Sequence, residues 1–397
     1  MPQQAWPVQR YTLENENYSC EYTDDLDKLQ FDVSYLPVSA MGLLFVPSNV
    51  DDALICYDLE NGEERWRYCV DGPVRFAPAV HNGKVYFVSD DGYLYCLSAK
   101  AGVLQWRFRG GPEDRLILGN ERLINTWPAR GAPVIVENTL YFAAGIWPFM
   151  GIFIYALDVD TGEELWCNST SGAVYDLHQH GGAYAFGGVA PQGHIAVNGD
   201  RLLVAGGLTV PAVYDRHTGS FLYYRQSHDA VGKGAGGYAV SSYGNWFFNH
   251  NVMYSLDDGA QFGPLPASVL TEKAIVGMSR NTLIAHDPKP EVREVEIKDR
   301  LEREAIRKVY SMSRTWVTAI PEAYEKLFFK AGELYYVGGS HGDIAAIRVD
   351  EKDGEASVVW KNRVADAVWD MIAADDKLVV VTEAGTLYCF GATRSSV

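Results

Sequence analysis

The sequence lacks any apolar run of about eighteen residues, the length that a membrane-spanning helix needs. Its N-terminal sequence, MPQQAWPVQRYTLENENY, also lacks the basic, apolar and small-residue zones of a secretory signal peptide. We therefore expect no membrane span. As numbered, the chain is expected to be cytoplasmic, or periplasmic or secreted if a signal peptide was removed before residue 1.

Cysteine is scarce too: the 397 residues contain six, with no CxxC or CxxCH motif and no adjacent pair. This excludes c-type haem attachment and gives no zinc-finger pattern. Basic residues are outnumbered, because 34 Lys and Arg face 51 Asp and Glu, for a net charge of −17. An acidic chain of this kind repels nucleic acid and anionic lipid, so we expect no nucleic-acid partner.

Glycine, in contrast, is plentiful at 38 residues, and much of it lies in turn signals between short β-runs. The segment 71–110 is the clearest case, since HNG, DDG and KAG separate four such runs. Asn-Gly and Asp-Gly supply the positive φ that tight hairpins require, so the segment is predicted to be a four-stranded antiparallel meander. One such sheet cannot bury both of its faces alone and needs copies of itself to stack on.

Copies of this unit recur along the chain. Each predicted third strand places one residue, small in most copies, among apolar neighbours: Cys56, Cys96, Ala156, Val213, Ser255, Ala285, Ala346 and Cys389. Their period of about forty residues, with insertions, is typical of a β-propeller. In three copies a tryptophan follows the next turn glycine by four residues (Trp66, Trp106 and Trp166), and Tyr223 holds this place in a fourth. We interpret these rings as core residues that pack against a small residue of the next sheet.

The eighth copy has three predicted strands before the sequence ends at Val397. Propellers avoid an open edge by pairing a strand from the other terminus, and residues 4–11 are the best donor. The predicted fold is therefore an all-β, eight-bladed β-propeller of four-stranded antiparallel blades, closed by an N-terminal strand and forming a single domain over 1–397. Seven blades remain the alternative, because the sixth copy is the weakest.

A charged insertion, residues 288–313, follows the third strand of blade six. Within it Leu301, Ala305, Val309 and Met312 recur at helical spacing. The pattern predicts a short amphipathic helix, interpreted as a solvated charged face in preference to a partner-binding helix.

The run YALDVDTGEELW, residues 155–166, resembles the repeat of PQQ-binding-like β-propellers, and CYDLENGEERW and CLSAKAGVLQW are similar to it. Quinoprotein alcohol dehydrogenases, an outer-membrane assembly lipoprotein and many other bacterial proteins share this repeat. In the dehydrogenases the resemblance implies PQQ with calcium, a strained disulfide between adjacent cysteines and a Glu, Asn and Asp calcium site. This sequence has no adjacent cysteines and no evident acidic–Asn constellation, so no cofactor is predicted and PQQ with calcium is disfavoured.

Long insertions concentrate on one side of the predicted ring. The segments 111–131, 145–152, 167–193 and 225–237 join either two blades or the second and third strands of one blade. In an up-and-down blade these junctions lie on the same face, and they belong to neighbouring blades. Long loops gathered over one mouth of a propeller commonly carry the binding residues.

These loops supply the candidate ligand-binding residues, which are Arg115, Trp127, Arg130, Trp147, His178, His180 and Gln192. The two arginines could form a fork for a carboxylate, sulfate or phosphate, although pairing with local acids such as Glu113 is the alternative. The two tryptophans could present flat faces to a sugar ring, or Trp147 could plug its loop into the core.

His178 and His180 would share one side of an extended strand, as a general base or two metal ligands require. No third ligand is identifiable, so no metal site is predicted. The candidate catalytic residues are His178, His180 and Arg130.

These features support three alternative hypotheses for the function. The first is a non-catalytic module that binds a small molecule or a protein partner. The second is a carbohydrate-active enzyme of the polysaccharide lyase type, in which arginine neutralises the carboxylate of an acidic glycan and histidine or tyrosine removes a proton. The third, a PQQ-dependent oxidoreductase, is disfavoured by the cysteine pattern.

Overall fold

The computed structural model describes residues 3–5, 36–119, 122–177, 184–206, 209–224, 237–249, 251–298 and 304–391. Almost all of its regular structure is β-strand, and eight principal sheets follow one another along the chain. Over the described ranges, one three-residue 3-10 turn, Pro148–Met150, is the whole helical content, so no helix there could cross a bilayer. The predicted all-β fold with eight blades is confirmed.

The first four blades follow the expected meander, with one extra strand in blade four. Blade one contains Val38–Ala40, Leu43–Ser48, Ala53–Asp58 and Glu64–Cys69, and blade two contains Ala79–His81, Lys84–Val88, Tyr93–Ser98 and Leu104–Arg109. Blade three contains Val134–Val136, Thr139–Ala144, Phe153–Asp158 and Glu164–Asn168, and blade four contains Gly193–Asn198, Arg201–Val204, Ala212–Asp215 and Phe221–Tyr223. Gly131–Ala132 pairs in parallel with the first strand of blade four.

The remaining blades complete the ring. Blade five contains Val240–Tyr243, Trp246–Asn249, Val252–Ser255 and Gln261–Pro264, and blade six contains Val269–Leu270, Ile275–Ser279, Thr282–His286 and Arg314–Ala319. Blade seven contains Lys326–Ala331, Leu334–Gly338, Asp343–Val349 and Ala356–Arg363, and blade eight contains Val368–Ala374, Lys377–Thr382 and Leu387–Gly391. Three further hairpins lie outside the blades: Leu116–Gly119 with Arg122–Asn125, Tyr175–Leu177 with Tyr184–Phe186, and Glu291–Lys298 with Glu304–Ser311.

An N-terminal strand closes the ring, as the sequence predicts. Gln3–Ala5 pairs antiparallel with Leu387–Gly391 and becomes the fourth strand of blade eight, with Gln4 opposite Cys389. The strand begins one residue earlier than predicted, and residues 6–11 of the predicted donor lie outside the described residues. Because this strand satisfies an otherwise unpaired edge, it converts an open stack of sheets into a closed ring.

Aromatic rings join the consecutive blades, which confirms their assignment to the core. The indole N–H groups of Trp66, Trp106 and Trp166 each donate a 3.0 Å hydrogen bond to a backbone carbonyl of the following blade. The hydroxyl of Tyr223 donates in the same way to Leu256, at 2.6 Å. The small third-strand residue lies directly opposite the ring on the same blade, as Cys56 does for Trp66, so its predicted place on the next sheet was wrong.

A turn glycine of the next blade receives each indole. Gly102 has a φ of +65°, and a Cβ there would lie 2.6 Å from Cδ2 of Trp66. Only glycine combines this backbone conformation with such a close approach. The repeated pairing of an indole with a neighbouring glycine explains why tryptophan and glycine recur together in the sequence.

The insertion in blade six is a β-hairpin, so the predicted helix was wrong. Glu291–Lys298 and Glu304–Ser311 pair in register from Glu291 opposite Ser311 to Lys298 opposite Glu304. The run EVREVEIK contains Val292, Val295 and Ile297, and these β-branched residues favour a strand over the helix that the apolar spacing predicted. Of the four residues that set that spacing, Leu301 lies outside the described residues.

Blade five departs from the predicted alignment as well. Ser255 is on the third strand, but the position equivalent to Cys96 is Met253, two residues earlier. The residue opposite Met253 is Gly263, where blades one to four, six and seven carry an aromatic ring. In this blade a bulky third-strand residue faces a glycine, the reverse of the usual arrangement.

Candidate functional site

Three of the predicted long loops lie in contact with one another and form one surface, here called the loop face. It comprises residues 111–119 and 122–131, 145–152, and 167–177 and 184–193. The indole N–H of Trp127 donates to the carbonyl of Met150 at 2.8 Å, which joins the first loop to the second. A Cβ on Gly172 would lie 2.9 Å from the carbonyl oxygen of Pro148, so the third loop touches the second as well. The fourth predicted loop, 225–237, lies almost entirely outside the described residues.

Trp127 is an anchor for these loops and not an exposed platform. Its side chain is 5% exposed, so it does not present the open face that stacking on a sugar requires. The guanidinium of Arg115 lies over the indole ring, 5.1 Å from its centroid, and also pairs with Glu113 at 3.6 Å. Arg115 is therefore paired with the local acid Glu113, which was the alternative to ligand binding. Trp127 instead holds the second loop through its hydrogen bond to Met150.

Arg130 is buried and belongs to a charged cluster at the junction of blades two and three. Its Nε lies 2.9 Å from Oδ1 of Asp90, and Nε of Arg75 donates to Oδ2 of the same carboxylate at 2.7 Å. Asp90 is only 1% exposed, so two guanidinium groups share one desolvated carboxylate. Arg130 thus lies among buried groups whereas Arg115 is half exposed, and the structure does not bring these two arginines together as a fork.

A short sequence motif links Arg130 to Arg75, the other arginine of this cluster. Arg75 and Arg130 each begin an R-x-A-P motif, RFAP and RGAP, immediately before the first strand of a blade. The repetition places both arginines at equivalent positions of neighbouring blades. Asp90 carries no comparable pattern, because it is one of many Asp-Gly turn residues.

The loop face exposes a series of large apolar side chains. Leu116, Leu118 and Leu123 share one side of their hairpin, because Leu118 is paired with Leu123 and Leu116 lies two residues away. Leu118 is 77% exposed and Phe149, on the second loop, is 75% exposed. Trp147 lies beside Phe149, with ring centroids 6.2 Å apart, and is about half exposed, so it does not plug its loop into the core.

The third loop adds two more exposed rings. Tyr175 and Tyr184 stack across their hairpin with centroids 5.8 Å apart, and both are well over half exposed. A pattern of alternating leucines in LILG and RLIN would have identified the leucine hairpin from the sequence. The two tyrosines carry no signal of this kind.

The other predicted site residues are placed as follows. Gln192 is half-buried at the entrance to the first strand of blade four, where its backbone N–H donates to Ala205 at 2.9 Å. His178 and His180 lie outside the described residues, so their proposed roles stay predictions.

A second group of titratable residues lines the axis of the ring. The first strands of successive blades contact each other, so they surround the axis. His194, Lys326 and Asp370 lie near the starts of three of these strands, and Tyr238 lies two residues before a fourth. The rings of His194 and Tyr238 meet edge to face with centroids 6.3 Å apart. None of these residues was singled out from the sequence.

Desolvation dominates the electrostatics of this axial group. Burial raises the pKa of Asp370 to about 6, although a hydrogen bond from the backbone N–H of Met371 and the charge of Lys326 oppose the shift. Burial also raises the pKa of Tyr238, helped by the negative charge of Asp370, and lowers the pKa of His194. Burial therefore shifts Asp370, Tyr238 and His194 towards their neutral forms.

We expect Asp370→Asn to increase stability at neutral pH. The carboxyl has a raised pKa of about 6 in the folded protein against 3.8 in the unfolded chain, so its stabilising contribution is full below 3.8 and is lost as the pH rises through 6. Removing the charge should restore on the order of 1–3 kcal/mol at pH 7 and flatten the dependence between pH 4 and 6. Urea unfolding from pH 4 to 8 measures this, with the exposed Asp366→Asn as the matched control. Equal pH profiles for Asp370→Asn and the unaltered chain would contradict it.

The residues that the structure describes do not reproduce the metal and cysteine features of a quinone site. The described cysteines, Cys56, Cys69, Cys96, Cys167 and Cys389, are all unpaired and belong to blades one, two, three and eight. Across the described ranges no three His, Cys, Asp or Glu side chains come together as a metal site. The described residues therefore do not fit PQQ with calcium.

Comparison with known proteins supports the repeat and the fold. The dehydrogenase subunit of the quinone alcohol dehydrogenase from Gluconobacter oxydans (strain 621H) is 31% identical over 122 residues, which are 30% of this chain and 14% of that protein. The chain thus spans well under two thirds of this curated relative. The quinohemoprotein alcohol dehydrogenase from Comamonas testosteroni superposes with a TM-score of 0.51 at 13% identity, over 90% of this chain and 74% of that one.

A computationally designed protein, Ika8, superposes with a TM-score of 0.53 at 11% identity, over 90% of this chain and 95% of that one. At these identities the two structures show the fold alone. The family model described as outer membrane protein assembly factor BamB matches residues 6–148 and 151–397. With its docked indoles, its turn glycines and a match along nearly its whole length, the chain belongs to this family of PQQ-like β-propeller repeat proteins.

Proposed function

We propose that this protein is a non-catalytic β-propeller that binds a protein partner through the loop face. The observation that carries the proposal is the series of exposed leucines and aromatic rings on three contacting loops. Folded proteins rarely leave so many large apolar side chains together in water unless a partner covers them. Exposed aromatic residues around an apolar centre are also the typical composition of a protein interface.

The anchoring of the loops supports the same conclusion. Trp127 fixes the second loop through the carbonyl of Met150, so Trp147 and Phe149 are presented from a supported backbone. A surface held in place before binding loses less entropy when the partner docks. The family description names an assembly factor, a function that depends on contacts between proteins.

The lyase hypothesis receives no comparable support. Arg130, its candidate for neutralising a uronate, is already paired with Asp90 in a buried cluster. Trp127, its candidate for stacking on a sugar, is buried beneath Arg115.

We expect the double substitution Leu118→Glu and Phe149→Glu to abolish partner binding. Both side chains are about three quarters exposed, so the change should leave the fold intact while placing two charges in the interface. The measurement is quantitative co-purification from the source cells after chemical cross-linking, and loss of the bound partner by at least about tenfold is expected.

The matched control is Val103→Glu. Val103 is also an exposed apolar residue, at 58%, but it lies between the third and fourth strands of blade two, on the opposite face. Retention of the same partners by the double variant and the control would overturn the proposal.

A further inference from the structure

The seam between blades five and six lacks the aromatic ring that joins each of blades one to four to the next blade. Gly263 follows the turn glycine Gly259 by four residues and pairs with Met253, as Trp106 pairs with Cys96. Gly263 has a φ of +140°, and a Cβ there would meet no atom within 4 Å. The position that holds a ring in blades one to four is therefore open space in blade five.

Blade six, which would accept the ring at this seam, also differs from the other blades. In blade six the hairpin insertion replaces the turn whose glycine accepts an indole elsewhere. The end of the hairpin supplies Tyr310, whose ring lies 3.7 Å from that of Phe262 and 5.9 Å from that of Trp246, measured between centroids. This aromatic group fills part of the seam but not all of it.

A cleft of about 310 Å³ remains beside these rings. Its apolar wall includes Met253, Phe262, Tyr310 and Met312, and its polar side is formed by His286 and Arg314. The volume is in the range of small-molecule sites, and aromatic walls with a few polar groups are their usual lining.

The polar side of the cleft contains a buried histidine with an unpaired ring nitrogen, which a simple packing defect would not be expected to have. His286 is 8% exposed, and no described residue forms a hydrogen bond with its Nδ1. Burial lowers the pKa of His286 and the charge of Arg314 lowers it further, although a hydrogen bond to the backbone of Ile275 opposes both. The lowered pKa favours the neutral imidazole, whose Nδ1 can accept a hydrogen bond in the tautomer that carries the proton on Nε2.

Arg314 supplies a positive charge at the edge of the cleft. It is exposed, and within the described part of the chain no carboxylate pairs with it. A guanidinium at the rim of an aromatic cleft favours a ligand that combines a flat ring with an anionic group.

We propose that this cleft binds a small planar aromatic carboxylate of indole-like size. The ring takes the place that an indole side chain fills in other seams, and the carboxylate pairs with Arg314. A ring N–H donates to Nδ1 of His286. The site lies beside the junction of third and fourth strands in blade six, away from the loop face, and is independent of the function proposed for that face.

Indole-3-acetate is the probe for the test, with 3-methylindole as the matched ligand that lacks the carboxylate. Titrations of the full chain followed by ligand-observed NMR are expected to give a dissociation constant of about 0.1–1 mM for indole-3-acetate. Arg314→Gln should weaken indole-3-acetate about five- to tenfold and leave 3-methylindole unchanged. Met312→Trp should fill the cleft and remove binding of both ligands.

Two controls keep the result interpretable. Arg348→Gln removes an exposed arginine of blade seven and should change neither affinity. Unfolding midpoints report whether each variant folds. If Met312→Trp does not fold, Arg314→Gln still tests the proposal, because it replaces an exposed side chain. The proposal is overturned if neither ligand binds saturably, or if binding persists unchanged in both Arg314→Gln and Met312→Trp. Equal affinity of the two ligands would overturn the assignment of Arg314.

Discussion

Asp90→Ala is expected to destabilise the protein by about 3–5 kcal/mol, because it leaves two buried guanidinium groups without their shared carboxylate. Asp90 is 1% exposed, and Arg75 and Arg130 are nearly as buried, so water cannot replace the lost contact without opening the structure. Urea unfolding at pH 7, monitored by tryptophan fluorescence, measures the change in the free energy of unfolding.

The matched control is Asp114→Ala, which removes a carboxylate more than half exposed from the neighbouring loop. Its expected effect is within about 0.5 kcal/mol. Replacing Arg75 and Arg130 with methionine in the Asp90→Ala background should recover part of the loss, since the charges themselves are then gone. A loss below about 1 kcal/mol for Asp90→Ala would contradict the role of Asp90 as the shared partner of two buried arginines.

Trp166→Ala is expected to cost about 2–4 kcal/mol by opening the seam between blades three and four. The indole donates to Arg216 at 3.0 Å and packs near Tyr141, with ring centroids 6.0 Å apart. Its truncation removes both contacts and leaves the turn glycine Gly219 without a covering ring. The half-exposed indole of Trp147 provides the control, and Trp147→Ala should change stability by no more than about 0.5 kcal/mol.

A double-mutant cycle with Gly219→Ala isolates the contact. Gly219 has a φ of +70°, and a Cβ there would overlap the Trp166 ring. In the unaltered chain Gly219→Ala should therefore cost both the clash and about 1 kcal/mol of backbone strain. In the Trp166→Ala background only the strain should remain. Strict additivity of the two substitutions would exclude the packing of the ring on this glycine.

The repeat shows how far local patterns reach. Asn-Gly and Asp-Gly turns with alternating apolar residues determine a meander within forty residues, so the blades and their number could be predicted. A turn glycine and a tryptophan recur together, as Gly102 and Trp66 do, because blades of the first half make the same contact with the next blade. This recurrence made the core rings predictable too. Where a local rule is broken, as by Gly263, prediction fails, because no periodic signal marks a missing side chain.

The candidate site was less predictable than the fold. The sequence located the loops, but Trp127 and Trp147 look alike in it, each followed by proline. One is buried and hydrogen-bonded and the other is half exposed, and this difference depends on contacts between loops of different blades. For the insertion of blade six, the helical spacing of four apolar residues did not decide the structure, because pairing between the two halves of the segment favoured strands.

The sequence by itself determined the repeating unit, the closed ring and the face that carries the long loops, because turn chemistry and strand alternation act over a few residues. Only the tertiary structure decided that Arg130 meets Asp90, that leucines and rings form one exposed surface, and that the seam beside Gly263 stays open. These features depend on contacts between side chains of different loops and blades, which the stacking of the blades brings together and no local pattern encodes.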